Sequence, residues 1–167
     1  MRNCLGYRVA VFVAIFGAAV AIAREPSVEF QVIADPGFRS SKPVYAAIHS
    51  QVEWVAFWNS WKTDSATEAL TVNSGPPPMI DFKKFTLLVA SSGTKPNLGY
   101  SLAFASIRKF NGVITVSVLD IGPGPNCPTL QEITNPRIFA LIPKSSERVE
   151  FTVLRSTLDC RTREQIP

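Results

Sequence analysis

The sequence predicts an α+β fold dominated by β-structure: an antiparallel sheet, curved and closed into a partial barrel or a sandwich, with one main helix. Three observations carry this. Short alternating apolar runs recur between Gly, Pro and Asn clusters. Asn111-Gly112 stands between two alternating arms, the strongest short-range signal of a hairpin with a two-residue type I′ turn. A single stretch has helical period, with Trp54, Phe57, Trp58 and Trp61 at i, i+3, i+4 and i+7.

In chain order, Val28–Ala34 reads as a first strand with Val28, Phe30 and Val32 on one face, stopped by Asp35-Pro36-Gly37. Val44–His49 reads as a short second strand. Ser50 with Glu53 three residues later forms a capping box, so a helix should start at Gln51 and run to about Lys62. Its Trp stripe, which holds all three tryptophans, is the face expected to pack on a sheet. Thr63–Pro78 ends in three prolines and is a surface connection. After Asp81-Phe82, a strand carrying Phe85, Leu87 and Val89 on one face and Thr86, Leu88 and Ala90 on the other should be covered on both sides.

The Asn-Gly turn fixes the hairpin's register. Phe110 should face Val113, Lys109 Ile114, Arg108 Thr115, Ile107 Val116, Ser106 Ser117, Ala105 Val118 and Phe104 Leu119. One face then collects Ala105, Ile107, Ile114, Val116 and Val118, and the other carries the polar residues of the tip. Arg137–Ile142 and Arg148–Arg155 are the remaining strands, and Arg161–Pro167 is a frayed tail. Strands joined by short turns imply antiparallel pairing.

Residues 1–23 read as a secretory signal peptide. Arg2 and Arg8 precede a charge-free run from Val9 to Ala23, and Ala21-Ile22-Ala23 places small residues where a signal peptidase cuts. Cleavage leaves 24–167 as one β-rich domain, exported to a bacterial periplasm or the extracellular space, with no membrane span. Removing the two arginines lowers the net charge from +4 to +2, and no basic cluster remains to suggest nucleic acid. Of the three cysteines, Cys4 leaves with the leader. Cys127 and Cys160 remain, and in an oxidising compartment they should pair.

No catalytic constellation is legible. The sequence lacks Gly-x-Ser-x-Gly, His-Glu-x-x-His, a phosphate loop and Cys-x-x-Cys. Its one histidine, His49, lies beside the helix start, where a local contact accounts for it. No cofactor and no metal is expected. The informative features are two loops, Gly93–Gly99 and Gly122–Pro128. Because Tyr100 and Ile121 both lie away from the hairpin tip, these loops should meet at its base. Lys95, Pro96, Asn97, Gly99, Tyr100, Pro123 and Pro125 are the candidate binding residues.

The same residues carry a family resemblance. Asp81-Phe82 and the strand after it, Gly93-Thr94-Lys95-Pro96-Asn97-Leu98-Gly99-Tyr100-Ser101, Gly122-Pro123-Gly124-Pro125, Gln131–Pro136 and Ile138–Pro143 resemble the C-terminal domain of the protease complex subunit PrcB, roughly over Ile48–Val153. Asn97-Leu98 replace the family's Thr-Gly in a Pro-Thr-Gly-Gly-Tyr pattern. The resemblance implies an exported, non-enzymatic accessory protein that assists or stabilises a protease or another envelope protein. It brings no catalytic residues. A second similarity, the Pro-containing loop ending Gly99-Tyr100, is to chagasin-like protease inhibitors. The reading from the other class is a hydrolase with an unrecognised site, which would need a partner group around His49.

Overall fold

A computed structural model describes residues 26–37, 39–64 and 76–160, with backbone alone for 61–64. The leader 1–23, most of the connection 63–78, the tail 161–167 and the Trp61 side chain lie outside the described residues. The elements are β1 (Gln31–Ile33), β2 (Val44–Ile48), α1 (Gln51–Asp64), β3 (Phe85–Ser91), β4 (Ser101–Phe110), β5 (Val113–Pro123), β6 (Arg137–Pro143) and β7 (Arg148–Leu158).

They form two sheets, one of four strands ordered β1-β6-β3-β2 and one of three ordered β4-β5-β7. The sheets pack face to face. Leu88 and Ala90 of β3, and Ala140 and Ile142 of β6, meet Phe104 and Ile107 of β4 and Ile114, Val116 and Val118 of β5. On its other face the four-stranded sheet carries the helix, where Trp54 and Trp58 pack on Ile48, Leu87, Val89 and Phe139. The result is three layers, helix on sheet on sheet. The predicted class holds, as a sandwich and not a closed barrel.

β3 explains why this stacking works. Its alternate residues Leu87 and Val89 belong to the helix-side core, and Leu88 and Ala90 to the inter-sheet core. Each of Leu87, Leu88 and Val89 is fully buried, a contribution of roughly 1.5–3 kcal/mol per side chain. A strand apolar on both faces is stable only between two layers.

The helix begins as its sequence dictates. Ser50 Oγ accepts the Glu53 backbone N–H at 3.2 Å, and the Glu53 carboxylate accepts the N–H of His49 at 2.7 Å. The box therefore closes one residue earlier than expected, on His49 and not on Ser50. Trp54 is wholly buried, and its indole N–H donates to the Pro78 carbonyl at 3.0 Å, which removes the cost of an orphaned donor.

Three expectations need correction. First, β7 pairs with β5 in parallel, although every other strand pair is antiparallel. The intervening β6 joins the other sheet, so the chain crosses the sandwich and returns in the same direction, as a parallel pair requires. Second, the hairpin register holds from Phe110↔Val113 through Ser106↔Ser117, then slips. Phe104 pairs with Val118 and Ala103 with Leu119, leaving Ala105 as the extra residue of a β-bulge. Ala105 is consequently exposed and Phe104 buried. A strict alternation would have sent Phe104 and Leu102 to solvent; the bulge turns both inward. Third, the first strand is confined to Gln31–Ile33. Ahead of it, Ser27 bridges Arg108, so the segment touches one sheet before joining the other. Phe30 meets Phe104 edge-on at 6.1 Å, and Val32 is left exposed.

Candidate binding rim

The base of the β4–β5 hairpin is built by close backbone approaches. Gly93, with φ +76°, lies against the Ser41 and Lys42 backbone, where a Cβ would sit 2.9 Å from each. That contact joins the end of β3 to the Arg39–Pro43 loop. The loop is held from the other side by Asn135, whose side-chain oxygen accepts the Ser40 N–H at 3.3 Å, and the chain ahead of it by Arg137, which pairs with Asp35 through Nε at 2.7 Å.

On this clasp the two Gly/Pro loops converge. Gly99 has φ +102°, and a Cβ there would meet Pro123 Cβ at 3.2 Å and the Thr129 methyl at 3.5 Å. The Tyr100 ring lies over Gly122, whose missing Cβ would be 3.1 Å from Cε1. Lys95 Nζ stands 5.3 Å from the Tyr100 ring centroid, within cation–π range. The loops therefore meet as the hairpin geometry requires.

A third segment joins them. Lys95 and Thr134 exchange both backbone hydrogen bonds, at 2.8 and 3.0 Å, and the Leu98 N–H donates to Leu130 at 3.1 Å. Residues 128–134 thus line the same edge without forming a strand. The end of β7 closes the rim, because Gly124 N–H donates to the Leu158 carbonyl at 2.9 Å. The Cys127–Cys160 disulfide, Cα atoms 5.1 Å apart, ties the proline loop to the chain just beyond β7.

The predicted residues divide by role. Gly99, Tyr100 and Pro123 pack the loops against one another. Pro96 and Pro125 are exposed, and Lys95 is half-buried over the ring. Asn97 is half-buried, and its side-chain oxygen is enclosed with no hydrogen-bond partner among the described residues. Sequence reasoning missed the three large apolar residues on this edge: Leu130 (68% exposed), Ile133 (73%) and Leu158 (54%). A signal existed. Leu130 and Ile133 sit between Pro128 and Pro136, in a stretch too short and proline-bound to bury them in regular structure.

His49 is elsewhere. Its Nδ1 is 3.1 Å from the Ser145 carbonyl and 3.4 Å from Thr86 Oγ1. A carbonyl only accepts, so Nδ1 carries the proton. Thr86 is the second residue of β3 and Ser92 follows its end, which separates His49 from the rim by about 20 Å of strand rise. Two groups among the described residues have displaced pKa values. Burial, with the Asp120 charge, raises the Tyr45 phenol. The hydrogen bond from Lys109 lowers the Glu147 carboxyl. Among the described residues no trio of His, Cys, Asp or Glu could hold a metal, and no helix is long and apolar enough to cross a membrane.

Residues 86–143 match the family model described as PrcB C-terminal. The match runs from β3 to the end of β6 and includes all three rim segments before β7, so the resemblance read from the sequence is borne out over that span; the helix and β7 lie outside it. No curated protein and no solved structure matches the chain.

Proposed function

We propose that this is an exported, non-enzymatic accessory protein that binds and stabilises a protease or another envelope protein through the rim at the base of the hairpin. The observation that carries the reading is the rim itself. Three loop segments and the end of β7 are fixed by glycine contacts, paired backbone and a disulfide, yet they hold Leu130, Ile133 and Leu158 out in solvent, with Pro96 and Pro125 also exposed. A rigid, exposed apolar cluster loses little conformational entropy on binding. The family match over 86–143 supports a protease-complex role, and the disulfide is consistent with export.

The test is a time course of protease activity. Protease recovered from the native envelope should keep its activity longer when the protein is added back. Immediate loss of activity would replace this reading with the inhibitor reading. An unchanged time course would refute both.

A further inference from the structure

The four outer strands of the two sheets differ in how their open edges are treated. β1 has three residues and β2 five. β4 is blocked, since Val28 N–H donates to Ile107 at 2.8 Å, Lys109 N–H donates to Pro26 at 3.2 Å, and the strand bulges at Ala105. β7 has none of these protections. It runs eleven residues in unbroken register with β5, without proline or bulge, and among the described residues nothing pairs with its other side. Long, regular edges are templates for another strand. The inner face of β7 is also unfinished. Val149, Phe151 and Val153 are only half-buried, and the Phe151 ring meets Tyr45 of β2 at 6.0 Å, where the core ends.

We infer that the β7 edge is a self-association site, occupied by β7 of a second copy in antiparallel pairing about a two-fold axis at Phe151. Sheet continuity requires inward residues to meet inward residues, so a residue must lie on the axis. With Phe151 there, Phe151 faces itself and Val149 faces Val153 twice, completing the apolar inner row. Arg155 faces Glu147 twice, Arg148 faces Leu154, and Glu150 faces Thr152; no like charges meet. Moving the axis to Glu150 sets Glu150 against itself, and moving it to Thr152 sets Arg155 against Val149. The product is a continuous six-stranded sheet. Its two rims, each at the Leu158 end of β7, point to opposite ends, about 45 Å apart along the strands. This inference is independent of what the rims bind.

Thr152 tests the register because it is exposed and its neighbour in β5 is the neutral Ser117. Protein recovered after expression of the full chain should show a concentration-dependent monomer–dimer equilibrium in sedimentation velocity. Thr152→Glu places two like-charge pairs across the axis and should weaken association about five- to tenfold. Thr152→Lys places two opposite-charge pairs there and should strengthen it. Melting temperatures of the two variants, taken at a dilution where the protein is monomeric, check that the fold is intact. A wild-type protein that stays monomeric at every concentration overturns the inference. So does an association that both substitutions shift in the same direction.

Discussion

The two ends of the β4–β5 hairpin are made from similar alternating residues and end in opposite ways. At the tip, Asn111 (φ +46°) and Gly112 (φ +77°) form the expected type I′ turn, the register is the one a two-residue turn dictates, and only Phe110 among the large apolar residues is left exposed, at 55%. At the base, a bulge reassigns the faces, three loops interlock through glycine contacts, and several large apolar residues stay in solvent. Local propensity is enough to build the tip. The base exists only because distant parts of the chain, from Asp35 to Cys160, are brought against it. That long-range assembly, which still leaves apolar surface uncovered, is the contrast on which the proposed binding role rests.

The largest effect expected from breaking this contrast comes from the disulfide. Replacing Cys127 and Cys160 together by Ser frees the base and should lower stability by about 3–4 kcal/mol for a closed loop of this length. Denaturant titration measures it. The loss of hydrogen-exchange protection should concentrate in Gly122–Pro128 and the end of β7, leaving the tip unaffected. Gly112→Ala attacks the tip instead. Nothing lies within 4 Å of the missing Cβ, so the cost is backbone strain alone, about 1 kcal/mol.

Deleting Ala105 sharpens the comparison at the boundary between the two ends. Ala105 is the residue without a partner, so its removal leaves Phe104 opposite Val118, restores simple alternation and should cost under about 1 kcal/mol. Had the hairpin been straight, the same deletion would remove a paired, inward-facing residue and flip every side chain from Ser101 to Phe104 to the opposite face, at a far larger cost. The smallest effect is electrostatic and belongs to the tip. Lys109 Nζ lies 2.6 Å from Glu147 Oε1, and that hydrogen bond lowers the Glu147 pKa from its ordinary 4.5. A lowered carboxylate pKa contributes stability above its unfolded value and loses it as pH falls through the folded one. The difference in melting temperature between wild type and Glu147→Gln should therefore be present at neutral pH and vanish in acid.

How much was legible follows the same division. The doubly buried β3, the Trp54 and Trp58 face of the helix, the Asn-Gly register near the tip and the cysteine pair all rest on short-range pattern or on simple redox reasoning, and the structure bears them out. The bulge at Ala105 was not legible, because Leu102, Phe104 and Ile107 fit either a slipped or a straight strand until the opposing sheet selects which side must be apolar. The parallel β5–β7 pair was hidden for a related reason: nothing in β6 itself says which of two sheets it joins. At the candidate site, the meeting of the two Gly/Pro loops followed from hairpin geometry. The roles within it did not. Tyr100 looked like a contact residue and is engaged by Gly122 and Lys95, whereas Leu130 and Ile133 sat in a stretch with no periodicity to draw notice.

The central claim is that the base binds and the tip does not. Three forms of the protein separate it directly: wild type, a base variant carrying Leu130→Ser with Ile133→Ser, and a tip variant carrying Phe110→Ser. Both variants replace only exposed side chains, so each should keep its stability to within about 0.5 kcal/mol. Each is used to capture protein from the native envelope fraction, with the captured species quantified. The account predicts that wild type and the tip variant retain the same partner and the base variant loses it. Equal retention by the base and tip variants, or loss by both, would contradict it.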